Sequence, residues 1–189
     1  IIEEGKNHNL SHCGMHAMDI MRMESGFLHW GHDISPEENQ YEAGLNFTIS
    51  YKKDSNFIGK KAVCKIKDQK PKKNFIMLSI LNSKPGDPLL LHDEPIYSNG
   101  KIIGRTTSGN YSFNYKKSIA FGYINTEKSI DLSNLEIEVE KRKYKLFTKE
   151  LDDICEECKK EDESVNPNFI ISGYKICDSC KLSKTIFPV

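Results

Sequence analysis

Two short runs of strand-forming residues separated by Asn99-Gly100 constrain this chain more than any other feature. A type I′ turn needs positive φ at both central positions, and Asn-Gly is the pair that meets this need most readily. Pro95–Ser98 and residues 101–104 therefore predict a tight hairpin. A second hairpin follows from alternation. Leu135, Ile137 and Val139 interleave with Glu136, Glu138 and Glu140, and Lys141-Arg142-Lys143 turns the chain into Tyr144-Lys145-Leu146-Phe147. Such a strand has one dry and one charged face. Residues 75–81 and 119–124 add further strands. Several short strands with turn signals between them predict a small barrel or sandwich over residues 74–150.

The flanks read differently. Ser11 offers an N-cap, Ala17, Ile20, Met21 and Glu24 recur at helical spacing, and Gly26 is a helix stop. Arg22 can reach Asp19 at i, i+3. Residues 31–38 are mostly polar and predict a loop; residues 45–49 alternate and predict a half-buried strand. Residues 51–73 hold nine Lys against two Asp. Such a run reads as a solvated linker or, more sharply, as a docking surface for an anion such as phosphate or a polyglutamate tail. If the segment folds alone, Met15, Met18, Met21 and Met23 leave apolar surface that self-association could cover.

Residues 149–163 carry eight acids against three Lys, which largely cancels the basic run: the whole chain has 27 basic and 27 acidic residues. That balance argues against a nucleic-acid binder, and no apolar run reaches the length of about 20 residues that spans a membrane. The chain opens on Ile1 rather than Met, without a secretory signal, and reads as a fragment or processed product of a cytoplasmic or organelle-matrix protein.

An ordered set of motifs resembles a known family. Residues 14–26, with Gly14, Ala17, Asp19, Arg22, Glu24 and Gly26, match the pattern G-x-x-A-x-D-x-L-R-x-E-x-G. Trp30-Gly31-His32-Asp33-Ile34, Tyr41-Glu42-Ala43-Gly44-Leu45 and Phe57-Ile58-Gly59-Lys60-Lys61-Ala62 follow. Residues 100–112 and Ile119-Ala120-Phe121-Gly122-Tyr123 complete the order. The set is similar to the C-terminal half of the glycine cleavage T-protein (aminomethyltransferase) family. Its W-G-x-D-I form is nearest to the folate-binding half of dimethylglycine and sarcosine dehydrogenases.

The resemblance implies an α+β architecture. Residues 1–73 would be the end of a folate-binding α/β lobe, residues 74–150 a small β-barrel and residues 151–189 a Cys-rich tail. It implies tetrahydrofolate as cofactor, a small amine as carbon donor and a transferase-like chemistry. It also implies that the family's N-terminal catalytic aspartate and pterin-holding glutamate motif lie outside this stretch, so that an N-terminal-half partner chain would complete the site. Met18 stands where many relatives carry a folate-contacting arginine; dehydrogenase-type relatives tend to lack it. Met18, Arg22, Glu24, Trp30 and Tyr111 are the expected cofactor-binding residues. For Arg22 and Glu24 the competing reading is a pair of charges that orients the lobe; for Trp30 and Tyr111 it is a core or lobe-interface aromatic. The catalytic group is unassigned: Asp33 is near at hand, but only analogy would recommend it.

Cys155-x-x-Cys158 and, eighteen residues on, Cys177-x-x-Cys180 fit a four-thiolate zinc pattern, which would be a closed structural site. A redox pair and two disulfides are the alternatives. From this tail comes a second function reading, a non-catalytic zinc-bearing interaction module that reuses the barrel. His8, His12 and His16 recur every four residues but lack a completing ligand set and read as solvated.

Overall fold

The fold is known from a computed structural model, which describes residues 1–51, 55–80, 82–126, 130, 134–148 and 158–160. Six antiparallel strands close into a barrel in the order β1-β4-β3-β2-β5-β6. They are β1 (Lys73–Ile80), β2 (Pro95–Ser98), β3 (Lys101–Ser112), β4 (Lys117–Asn125), β5 (Leu135–Val139) and β6 (Arg142–Thr148). The choice between barrel and sandwich is thus resolved, and closure leaves no free sheet edge. Both predicted hairpins form. Asn99 and Gly100 have φ of 49° and 76°, as the I′ turn requires. The second turn lies at Glu140-Lys141, one residue earlier than the basic triplet suggests, again with φ positive at both positions.

Alternation fills the barrel. Leu135, Ile137 and Val139 point inward with Leu78, Ile80, Ile96, Ile103, Ala120, Ile124 and Leu146. β4 differs from its neighbours: residues 118–124 are all buried. Its inner face joins this core, while Ile119 and Phe121 pack outward with Met23, Phe75 and Met77. The unbroken apolar run in the sequence records a strand covered on both faces.

The outer cover begins with helices α1 (Ile2–Gly5) and α2 (Met15–Glu24), separated by a short 3₁₀ turn. α2 starts at Met15 behind Gly14, not at Ser11, because Gly14 is extended and its carbonyl takes the first helical bonds, from Ala17 and Met18. It ends where Gly26 predicts. Gly26 N–H donates to Met23 and Phe27 N–H to Arg22, with Gly26 at φ 74°. The face differs from the predicted one. Met23 is fully buried, Met21 is exposed, and Ala17, Ile20 and Glu24 are half-buried. The polar anchors described below rotate the helix so.

Two further expectations are corrected. Residues 45–49 are not a strand: Asn46–Thr48 is a 3₁₀ turn. Thr48 donates both its N–H and its hydroxyl to the Leu45 carbonyl, and this local bonding replaces a ladder. The basic run is not wholly a linker either, since α3 (Lys60–Ile66) forms inside it behind Gly59 at φ 88°. Of the four zinc-pattern cysteines, Cys155, Cys177 and Cys180 lie outside the described residues, and Cys158 is exposed. Among the described residues no cluster of His, Cys, Asp or Glu could hold a metal, and no helix is long and apolar enough to cross a membrane.

Candidate functional site

The site is built where α2, the turn after it and β3 meet. The turn at 29–34 closes on itself. Asp33 N–H donates to the His29 carbonyl at 2.8 Å, Gly31 N–H donates to that of Ile34 at 2.8 Å, and Gly31 takes φ 89°. This fold-back aims Asp33 inward, where it is 1% exposed. A buried carboxylate must be paired or bonded on every side, and this one is. Arg22 Nη1 pairs with Oδ2, which also accepts His29 N–H at 2.9 Å. Thr107 Oγ1 and Ser108 Oγ donate to Oδ1 at 2.6 and 2.7 Å.

Two consecutive strand residues normally face opposite ways. Here a register shift between Thr106 and Ser108 relative to β4 lets both hydroxyls reach one carboxylate. Arg22 is committed as fully as Asp33. Its Nε donates to Asp19 at 2.7 Å, Nη2 to Ser108 Oγ at 2.7 Å and Nη1 to the Phe27 carbonyl at 3.3 Å, and its guanidinium lies 5.4 Å from the Phe121 ring centroid. Glu24 makes the second anchor. It accepts from Ser112 Oγ at 2.6 Å and from the Asn114 side chain, while Tyr115 donates its hydroxyl to the Glu24 backbone carbonyl at 3.0 Å. The predicted Asp19–Arg22 pair forms; Arg22 and Glu24 each bond to β3 or the turn after it.

Beside this network lies a mainly apolar groove of about 460 Å³. It is lined by Met15, Met18 and Arg22 of α2, by Leu89 and Leu91, and by Ser108 to Asn110 of β3. The structure therefore brings Met18 and Arg22 to one groove. Glu24, Trp30 and Tyr111 do not line it. Trp30 is 66% exposed, so it is not a core aromatic. Tyr111 packs edge-on to Phe113 at 5.2 Å. Asp33, Thr107, Ser108, Ser112 and Asn114 are structural partners that sequence reasoning missed. The one available signal was the Asp within W-G-x-D-I.

A second, more polar groove of about 470 Å³ is lined by Gly31, His32, Glu38, Lys73, Arg105 and Tyr123. Lys73 pairs there with Glu38 and Arg105 with Asp93. The buried Tyr123 donates its hydroxyl to the Asp33 carbonyl at 2.8 Å. Burial, then the nearby Glu38, Asp33 and Glu42 charges, push the Tyr123 phenol well above its usual range, so it stays a donor. For Glu38, burial alone would raise the carboxyl. The Lys73 ammonium and the Ser35 hydroxyl outweigh it and hold the group below its ordinary value of 4.5. A lowered folded-state value stabilises the fold above the ordinary pKa, and the gain is lost as pH falls through the folded value. Lowering the pH from 6 to about 3.5 is thus expected to reduce the urea midpoint more in the parent than in Glu38→Gln; equal losses would refute the assignment.

Residues 1–53 match the family model described as the GCVT N-terminal domain, and residues 73–148 match the glycine cleavage T-protein C-terminal barrel domain. The chain is 38% identical over 143 residues to 4-methylaminobutanoate oxidase (formaldehyde-forming) of Paenarthrobacter nicotinovorans, covering 75% of this chain and 17% of that protein. It is 33% identical over 144 residues to mitochondrial dimethylglycine dehydrogenase of Homo sapiens (76% and 16%). To the aminomethyltransferase of Symbiobacterium thermophilum it is 31% identical over 145 residues (77% and 38%). The chain thus spans well under half the length of these relatives. The crystal structure of glycine cleavage system aminomethyltransferase T from Bartonella henselae superposes with a TM-score of 0.60 at 23% identity, over 70% of this chain and 36% of that one, and supports the fold. Both family models match in the order in which the sequence motifs run, and the chain belongs to the glycine cleavage T-protein family, with aminomethyltransferases and dimethylglycine and sarcosine dehydrogenases as its homologues.

Proposed function

We propose that this chain supplies one wall of a tetrahydrofolate site for carbon transfer from a small amine. The observation that carries the reading is the groove between α2 and the barrel: it is apolar enough for flat rings, and it lies within the stretch that matches the family. Met18 would contact the cofactor. Arg22 and Glu24 would be positioning residues, since their polar atoms are engaged in holding α2 on β3. Trp30 and Tyr111 receive no ligand contact in this reading.

The residues present fit part of such a cofactor. The groove offers an apolar surface, and Asn110, which lines it, can hydrogen-bond a ring edge. Bound tetrahydrofolate would supply a nucleophilic nitrogen that accepts the carbon. The chain's own part is to bind, orient and exclude water. Asp33 is no candidate for the proton-handling carboxylate, because both of its oxygens are already bonded. That group would come from a further chain segment, such as the N-terminal-half partner implied by the resemblance.

Calorimetric titration of tetrahydrofolate under reducing conditions tests this. Saturable binding in the micromolar range is expected, weakened at least about tenfold by Met18→Glu, which sets a carboxylate against an apolar ligand face. Absence of binding up to millimolar cofactor, or binding indifferent to Met18→Glu, would defeat the proposal.

A further inference from the structure

His16, His29, His32 and His92 all line the groove between α2 and the barrel, beside few other charges. Its one acid among the described residues, Asp19, is paired with Arg22. The Arg22 guanidinium is engaged with Asp33, Ser108 and the Phe27 carbonyl as well. Met18 brings no charge. The ionisable groups left uncommitted in this groove are therefore imidazoles.

Three of these histidines gather in one place, and all three are exposed. The rings of His29 and His32 lie 4.6 Å apart between centroids, and those of His32 and His92 6.5 Å. The closed 29–34 turn carries the first two. The segment before β2 carries His92, pinned where Asp93 N–H donates to the Thr106 carbonyl at 2.9 Å. His92 Nδ1 is bonded to Asp93 Oδ2 at 2.8 Å, and Asp93 is held in turn by Arg105. That bond leaves Nε2 as the nitrogen open to a ligand. The two grooves meet at His32 and Thr107, which line both. In the second groove Lys73 is paired with Glu38 and Arg105 with Asp93, while Glu37 has no cation partner among the described residues. Glu37 repels a carboxylate approaching from that side, so an anion meets the trio from the apolar groove.

We infer that His29, His32 and His92 form an anion subsite of this groove, which takes the carboxylates of a ligand whose flat rings lie against Met18. The inference rests on the folate reading above for the ligand, since tetrahydrofolate joins aromatic rings to a glutamate with two carboxylates. Imidazole is the side chain whose charge ordinarily changes between about pH 5 and 8. Rings this close cannot all carry charge without mutual repulsion, and a bound carboxylate offsets it. Protonation and binding of the anionic end therefore favour each other. The groove thus holds carboxylate-bearing ligands more tightly as the pH falls, and a neutral analogue indifferently.

Calorimetric titration of tetrahydrofolate and of its dimethyl ester tests it, at about pH 6 and about pH 8, which bracket the ordinary imidazole value. The full chain is kept under reducing conditions with EDTA. The ester keeps the rings and loses both negative charges. The acid is expected to bind at least about fivefold more tightly at the lower pH, and the ester equally at both. His29→Gln combined with His32→Gln should bring the acid's ratio below about twofold. His32→Arg, which sets there a charge that this pH range does not remove, should keep binding of the acid tight at the higher pH. Acid binding indifferent to pH, equal pH dependence of acid and ester, or a dependence that survives the double Gln variant would each overturn the inference and leave the folate reading standing. If neither compound binds, the folate reading fails, and 4-aminobenzoylglutamate decides the subsite by NMR. Saturable shifts of the His29 and His32 Cε1–H signals at millimolar ligand uphold it; unmoved signals overturn it.

Discussion

Arg22→Met is expected to destabilise the chain by about 3–5 kcal/mol, because it leaves the Asp33 carboxylate buried without its cation. The arginine side chain is 15% exposed and the aspartate side chain 0%, so solvent screens the pair little. Methionine keeps most of the apolar stem and isolates the electrostatic loss. Thr107, Ser108 and the His29 amide still donate to Asp33, which places the cost toward the lower end of that range. Adding Asp33→Asn should recover part of the loss, since a neutral amide needs no counter-charge. Additive losses in the double variant would contradict this account. Urea unfolding of the parent, both single variants and the double variant measures all the terms.

The second large effect is expected at Gly104. A Cβ there would lie 1.9 Å from the Tyr123 backbone oxygen and 3.0 Å from the Ile124 Cα. These are backbone atoms of the paired strand, Gly104 being opposite Ile124, so no rotamer change relieves the contact. In a closed barrel a strand cannot step aside without disturbing its other neighbour, and Gly104 is also opposite Ile96 of β2. Gly104→Ala is therefore expected to cost about 3 kcal/mol, at the upper end of overpacking losses. An unchanged urea midpoint would show that β3 and β4 separate more easily than the barrel geometry implies.

Legibility in the sequence followed the range of the forces involved. Asn99-Gly100 and the alternation at 135–139 are local signals, and both hairpins form from them. The helix stop at Gly26 is local too. The helix face was misread because Met23 is buried by Phe121 and Ile119, almost a hundred residues away. The strand predicted at 45–49 failed because a threonine hydroxyl took the carbonyl that a ladder would need. α3 went unread because its lysines mask the half-buried Val63 and Ile66. The site was legible only as residue types. Arg22 and Glu24 could be picked out as a pair, but not their partners on β3, since the register shift that turns Thr107 and Ser108 toward one carboxylate leaves no trace in composition.

β4 is hydrogen-bonded along both flanks and dry on both faces, one face belonging to the barrel interior and the other to α2 and its turn. Such a strand belongs to two compartments at once and gives neither an independent life. The cover cannot peel away as a hinged flap without wetting Phe121 and Ile119, and the barrel cannot open its seam at β4 without releasing the cover. Any cleft between the two is therefore rigid at its base, and its shape is inherited from the whole module.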